Sequence, residues 1–166
     1  EIIGVVGSGT MGNGIAQVCA RAGYSVIMRD VREDLLQRGM SAIDKSLQRD
    51  VDKERLAVEE KAEVIKRIQT TTDLNSLKTA SFVVEAVTEN LTVKTEVFKA
   101  LDEITPPAAI LASNTSSISI TKLAAATARP DKIIGMHFMN PVPVMKLVEV
   151  IRGIATSDET YDRVQD

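Results

Sequence analysis

Cysteine and histidine each occur once, as Cys19 and His137. A single cysteine closes no disulfide within the chain, which suits a reducing compartment. The two residues together are too few for a zinc site built on nitrogen and sulfur ligands, so no metal is expected. Cys19 falls in an apolar helical run and reads as a small core residue. Long basic runs are missing, and the formal net charge is −3. Nucleic acid and membrane surfaces are therefore not expected as partners. No apolar stretch approaches the roughly 20 residues that span a bilayer. The chain starts at Glu1 rather than Met, so a trimmed fragment is expected, and residues 1–6 are too short for a signal peptide.

What is present is enough for one domain. The chain has 166 residues, of which 44% are hydrophobic and 26% charged, a balance that supports a packed core and argues against disorder. Neither an internal repeat nor a low-complexity segment is apparent. Ile2–Val6 is a short apolar run ending in glycine and reads as a buried strand. A helix is expected from Met11 to Ala22, stopped by Gly23. Ser25–Met28 is a second β-prone run that ends at Asp30. Strand, glycine turn, helix and strand open a βαβ unit. The charged stretch Glu33–Ile68 carries apolar residues at helical spacing and predicts two helices divided near Asp50–Lys53. This inserted helical hairpin is either a solvated elaboration or an arm that holds part of a large substrate. Further strands are expected at Ser81–Val87, Ala109–Ala112, Ile133–Phe138 and Met145–Ile151. Helices are expected at Thr92–Ile104, ended by Pro106-Pro107, and at Ile120–Ala128. The alternation predicts an α/β, Rossmann-type doubly wound sheet, mostly parallel, with an antiparallel edge hairpin turning at Asn140–Pro143.

Gly7-Ser8-Gly9-Thr10-Met11-Gly12 follows a predicted strand and opens a predicted helix. Gly7 permits the tight turn, Gly9 lets a pyrophosphate approach the backbone, and Gly12 allows close packing of helix on sheet. The free N–H groups of the helix N-terminus would then face the pyrophosphate. Asp30 ends the second strand, where a carboxylate accepts both ribose hydroxyls and repels the 2′-phosphate of NADP. NAD is the cofactor expected, although Arg29 and Arg32 flank Asp30 and can blunt that repulsion. The plainer reading of Asp30 is a surface cap of the next helix.

His137 falls near the end of a predicted strand, where ligands collect in open α/β sheets. Alone it is as readily a structural histidine. Glu149 lies 12 residues later on the next strand, and the midpoint falls at Pro143, inside the turn. If the strands pair symmetrically, His137 and Glu149 are opposite neighbours on one face. A carboxylate there fixes the imidazole tautomer and stabilises the imidazolium, as a general base requires; otherwise Glu149 is an exposed strand residue. Ser113-Asn114-Thr115-Ser116-Ser117 follows another buried strand and serves either a ligand or a turn and cap.

These residues together resemble the 3-hydroxyacyl-CoA dehydrogenase family. The resemblance rests on the glycine-rich stretch Gly7–Ala16, on Val84–Asn90, on Ala112–Ser117 and on His137–Glu149, and it runs through the whole chain. It implies NAD-dependent interconversion of (3S)-3-hydroxyacyl-CoA and 3-oxoacyl-CoA, in fatty acid β-oxidation or butanoate metabolism. By the resemblance, His137 is the base paired with Glu149, and Ser116 contacts the reacting oxygen near the nicotinamide. Asn140 places the nicotinamide and that oxygen. Glu89 and Lys94 contact the cofactor, Lys94 also lying near substrate. Ser46 and Lys53 on the helical arm meet the CoA portion. Family members carry a further helical domain that builds a homodimer, and this chain, residues 1–166, corresponds to the NAD-binding domain alone. A cytoplasmic place of bacterial type is implied, with the mitochondrial matrix as the alternative. The rivals are a β-hydroxyacid dehydrogenase acting on a small free acid and a non-catalytic, crystallin-like NAD-binding protein.

Overall fold

The computed structural model describes residues 1–166. Seven strands form one sheet: β1 (Ile2–Val6), β2 (Ser25–Arg29), β3 (Ile68–Thr71), β4 (Phe82–Glu85), β5 (Ile110–Ser113), β6 (Ile133–Phe138) and β7 (Val148–Arg152). Their order is β3-β2-β1-β4-β5-β6-β7. All neighbours are parallel except β6 and β7. The chain winds outward from β1 to β3, then returns to the other side of β1 at β4. The reversal leaves a crevice at the carboxyl ends of β1 and β4, the switch point where such sheets bind ligands.

Each sheet face is covered by helices, as the apolar runs of the strands require. Val5 and Val6 point to opposite faces and join two separate cores, because side chains alternate along a strand. One core takes in α1 (Thr10–Arg21), α2 (Glu33–Asp52) and α3 (Val58–Lys66), through Ile15, Leu36, Ile43, Leu47 and Val64. The other takes in α4 (Leu91–Ile104) and α5 (Ile120–Ala124), through Phe98, Leu101 and Leu123. A last helix, α6 (Asp158–Gln165), packs Tyr161 and Val164 against the first core. Cys19 is half-buried beside that core, and burial pushes its thiol up to about 11. It is a packing residue, held in the unreactive thiol form.

The expected strands and helices are present with shifted ends. α5 stops at Ala124 instead of Ala128, and β7 starts at Val148 instead of Met145. The charged stretch forms two helices with the break at Lys53–Ala57. Ile68, expected at the end of the second helix, instead begins β3, which the sequence pattern did not signal. Pairing of Ile68 with Val26 and of Thr70 with Met28 holds this short polar strand at the sheet edge. The two helices α2 and α3 are thus also the crossover from β2 to β3. At the opposite end of the sheet, Arg129 ties the end of α4 to the start of β6. Its guanidinium meets Asp102 Oδ1 at 2.8 Å and donates to the carbonyls of Asp102, Thr105, Pro106 and Ala109.

Leu47 is fully buried between α2 and the sheet. Leu47→Ala is expected to destabilise the fold by about 2–5 kcal/mol through lost burial and a residual cavity, read as a lower urea midpoint with an unchanged slope.

Candidate active site

The glycine-rich loop is built by contacts that admit no side chain. Gly7 has a φ of +106°, in the region that L side chains avoid. A Cβ on Gly12 would lie 1.9 Å from the Gly7 carbonyl oxygen, so α1 can approach β1 only because that position is glycine. The loop is also tied from within. The Asn13 amide donates to the Gly9 carbonyl at 2.7 Å. α1 begins at Thr10 with Gly9 as an extended N-cap that supplies no side chain, and no acidic residue lies in its first turn. The helices α2, α3, α4 and α6 each have a first-turn acid or a side-chain cap. A Cβ on Gly9 would meet nothing within 4 Å. Free N–H groups and open space above them fit a pyrophosphate.

Asp30, at the end of β2, is bound into this loop. Its Oδ2 accepts from the Ser8 N–H at 2.8 Å and the Ser8 hydroxyl at 2.7 Å, and its Oδ1 accepts from the Val31 N–H. Ser8 is buried, and its hydroxyl oxygen also lies 3.1 Å from the Leu35 carbonyl on α2. A Cβ on Gly39 of α2 would fall 2.8 Å from the Ser8 carbonyl oxygen, so the arm helix rests directly on the glycine loop. The two flanking arginines are turned elsewhere. Arg29 donates to the Thr72 carbonyl, and Arg32 pairs with Asp34. The carboxylate is left without a cation beside it among these contacts.

Across the switch point, a cleft of about 310 Å³ is lined by residues that include Met11, Glu89, Lys94, Ser116, His137 and Asn140. Five segments meet there: the start of α1, the chain after β4, α4, the loop after β5 and the end of β6. The β6–β7 ladder places His137 opposite Glu149, as symmetric pairing about the turn requires. His137 Nδ1 lies 3.4 Å from Glu149 Oε1, long for a hydrogen bond, as such pairs often are before substrate binds. A second depression, lined by Ser116, Ser117, His137, Glu149 and Ile151, adjoins the first through Ser116 and His137. The turn carrying Asn140 is seated by Val142, which is buried against Gly14 of α1.

Glu89 organises the loop after β5. It accepts from the Thr115 hydroxyl at 2.8 Å, the Ser116 N–H at 2.9 Å and the Ser116 hydroxyl at 3.0 Å. Partial burial raises its pKa, but the Ser116 N–H, the two hydroxyls and Lys94 outweigh that and lower it from 4.5 to about 2. Lys94 is only 2% exposed. Its ammonium meets Glu85 at 2.6 Å, the Val87 carbonyl at 3.1 Å and Glu89 at 3.4 Å, so its three donors are directed inside the wall. Ser46 and Lys53 stand apart from the cleft. Ser46 accepts from the buried Gln17 amide of α1 at 3.0 Å, and Lys53 is exposed at the end of α2.

Glu85 and Gln17 were not singled out by sequence reasoning, and Asn114 was named only within the polar segment after β5. Glu85 is fully buried beneath the cleft. Asn114 accepts the Phe138 N–H at 2.9 Å and so aligns the backbone beside His137. Gln17 orients Ser46. A carboxylate closing the apolar run Phe-Val-Val-Glu was the available signal for Glu85. Gln17 had none, because a polar residue on an amphipathic helix ordinarily faces water.

The lowered Glu89 pKa makes stability depend on pH in a definite direction. Its contribution is complete above pH 4.5 and is lost as pH falls from there toward 2. The stability difference between the wild type and Glu89→Gln, from urea melts, should therefore shrink between pH 5 and pH 2 (about the span of one shifted carboxyl).

Comparison with known proteins agrees with this geometry. The family described as 3-hydroxyacyl-CoA dehydrogenase, NAD binding domain, matches residues 2–166. A probable 3-hydroxybutyryl-CoA dehydrogenase of Bacillus subtilis is 54% identical over 156 residues, covering 94% of this chain and 54% of the relative. The human mitochondrial hydroxyacyl-coenzyme A dehydrogenase is 46% identical over 169 residues, covering 98% of this chain and 54% of that protein. The crystal structure of an (S)-3-hydroxybutyryl-CoA dehydrogenase from Ralstonia eutropha superposes with a TM-score of 0.97 at 51% identity, over 99% of this chain and 58% of that one. The chain thus spans about half the length of these relatives. With the family's NAD-binding domain covering residues 2–166, this chain belongs to the 3-hydroxyacyl-CoA dehydrogenase family.

Proposed function

We propose that this chain is the cofactor-binding and proton-transferring part of an enzyme that interconverts (3S)-3-hydroxyacyl-CoA and 3-oxoacyl-CoA. The observation that carries the reading is the His137–Glu149 pair, set in register at the edge of the cleft. Glu149 faces Nδ1, which leaves Nε2 to exchange a proton with the substrate oxygen. The carboxylate favours the tautomer protonated at Nδ1 and stabilises the imidazolium once Nε2 has taken the hydroxyl proton. NAD bound here would supply the hydride acceptor for the carbon that bears that hydroxyl.

The remaining site residues take roles that fit their positions. The N-terminus of α1, with Gly7, Ser8, Gly9, Thr10, Met11 and Gly12, holds the pyrophosphate. Asp30 receives the adenosine ribose, its carboxylate fixed in place by Ser8. Ser116 and Asn140 line the cleft beside His137 and hold the reacting oxygen and the nicotinamide. Glu89 fixes Ser116, and Lys94 stands behind Glu89. Ser46 and Lys53, outside the cleft, are placed for the distant CoA portion of a long substrate. α2 carries Ser46 and ends just before Lys53, and its 20 residues give a helix of about 30 Å. The whole enzyme is read as a cytoplasmic homodimer; no helix of this chain is long and apolar enough to cross a membrane.

The first test is NADH consumption on adding acetoacetyl-CoA, with acetoacetate as control. Oxidation with the thioester alone is expected, whereas turnover of the free acid would favour a β-hydroxyacid dehydrogenase. His137→Gln should lower turnover by about 10²–10⁴-fold while leaving NADH affinity nearly unchanged. Equal loss of both would make the histidine structural. Asp30→Ala should weaken NADH binding and relax discrimination against NADPH, read from paired titrations; an unchanged preference would remove Asp30 from the ribose role.

A further inference from the structure

Beneath the wall of the cleft lies a buried charge cluster that the proposed reaction does not use directly. Glu85 is the last residue of β4 and is 0% exposed. A carboxylate at such a place needs donors on every side. It has them: the Ser113 hydroxyl at 2.6 Å from β5, the Val87 N–H at 2.7 Å and the Lys94 ammonium at 2.6 Å. All three partners donate, which is the environment of the ionised form. Glu85 does not line the cleft, but Lys94 and Glu89 do.

The cluster closes into a ring. From Ser113 it passes through Glu85, Lys94 and Glu89 to Ser116, and Ser113 and Ser116 lie on the same segment leaving β5. Within it stand two carboxylates and one ammonium, a surplus of one negative charge. Lys94 balances only one of its two acidic neighbours. The other ionisable groups around the cleft are His137, on the facing wall, and Glu149 behind it; Glu149 is half-exposed and so screened by water. A buried charge is screened far less.

NAD⁺ carries a positive charge on its nicotinamide ring, and NADH does not. We propose that Glu85 is a specificity-determining residue that acts through the wall: by leaving Lys94 outnumbered, it gives the nicotinamide end of the cleft a net negative charge that favours the oxidised ring over the reduced one. The inference rests on the reading above, which puts the nicotinamide beside His137 so that hydride and proton leave one substrate carbon and its oxygen. Its consequence is thermodynamic. The poise between the two bound redox forms is set partly by a residue that touches neither.

The test compares the dissociation constants of NAD⁺ and NADH, the latter from fluorescence titration and the former from displacement of NADH. Glu85→Gln removes the surplus charge at nearly constant shape. It should weaken NAD⁺ about fivefold more than NADH. Glu85→Asp keeps the charge and should leave the ratio of the two constants within about twofold of wild type, even where its shorter reach lowers the Tm. Because a neutral residue beside buried Lys94 costs stability, Glu89→Gln supplies a second route. Its side chain is 38% exposed, and it makes the same change of charge, so the ratio should move in the same direction. A general loosening of the pocket would weaken both forms alike, and an unchanged ratio in Glu85→Gln and Glu89→Gln would overturn the proposal. Absence of NADH binding by the wild-type chain would instead sink the cofactor reading on which it rests.

Discussion

The first turn of α1 lies so close to the chain leaving β1 that one methyl group at position 12 would collide with the Gly7 carbonyl. The other parts of the site depend on that approach. It exposes the uncapped helix end toward the switch point. It also brings Ser8 within reach of Asp30 on β2, and it forms the floor on which α2 rests through Gly39. On its far side the same helix seats the β6–β7 turn at Val142, and with it Asn140. A larger separation of α1 from the sheet would pull apart the Asp30 end of the site, the arm and the His137 end together.

Charge in this site is arranged by burial rather than by number. Asp30 and Glu149 remain in contact with water. Glu85 is sealed within the wall and Lys94 nearly so, where an ion pair contributes little net stability and its geometry is strongly constrained. Glu89 stands between the two conditions, holding the Ser116 loop with one face and closing the buried cluster with the other. The polar loop after β5 is therefore ordered chiefly by acids on a neighbouring segment.

Those features of the sequence that rest on local rules were legible. The glycine spacing, the strand before it and the helix after it lie within a few residues of one another, so no distant contact can override them. The pairing of His137 with Glu149 was legible for the same reason, since a hairpin's register follows from where its turn lies. β3 was not, because Ile-Gln-Thr-Thr continues a helical apolar spacing and becomes a strand only by pairing with β2. Lys94 was expected to contact the cofactor. Its ammonium also meets Glu85, Val87 and Glu89, an arrangement visible only once α4 is laid against the end of β4. Gln17 and the partner of Asn114 stayed hidden because each contact reaches a backbone or side chain far away in sequence.

The pairing of His137 with Glu149 also bears on how such a chain tolerates insertions and deletions. Successive strand residues face opposite sides of the sheet, so a single residue added to the ladder between the two would carry Glu149 to the other face. The imidazole would keep its place and lose its acid. Length changes in the hairpin are harmless only when the turn absorbs them, and Val142, packed on α1, leaves that turn little slack. The break between α2 and α3 is exposed except at Leu56 and bears on no strand register. Length variation should therefore accumulate in the arm and be purged from the hairpin.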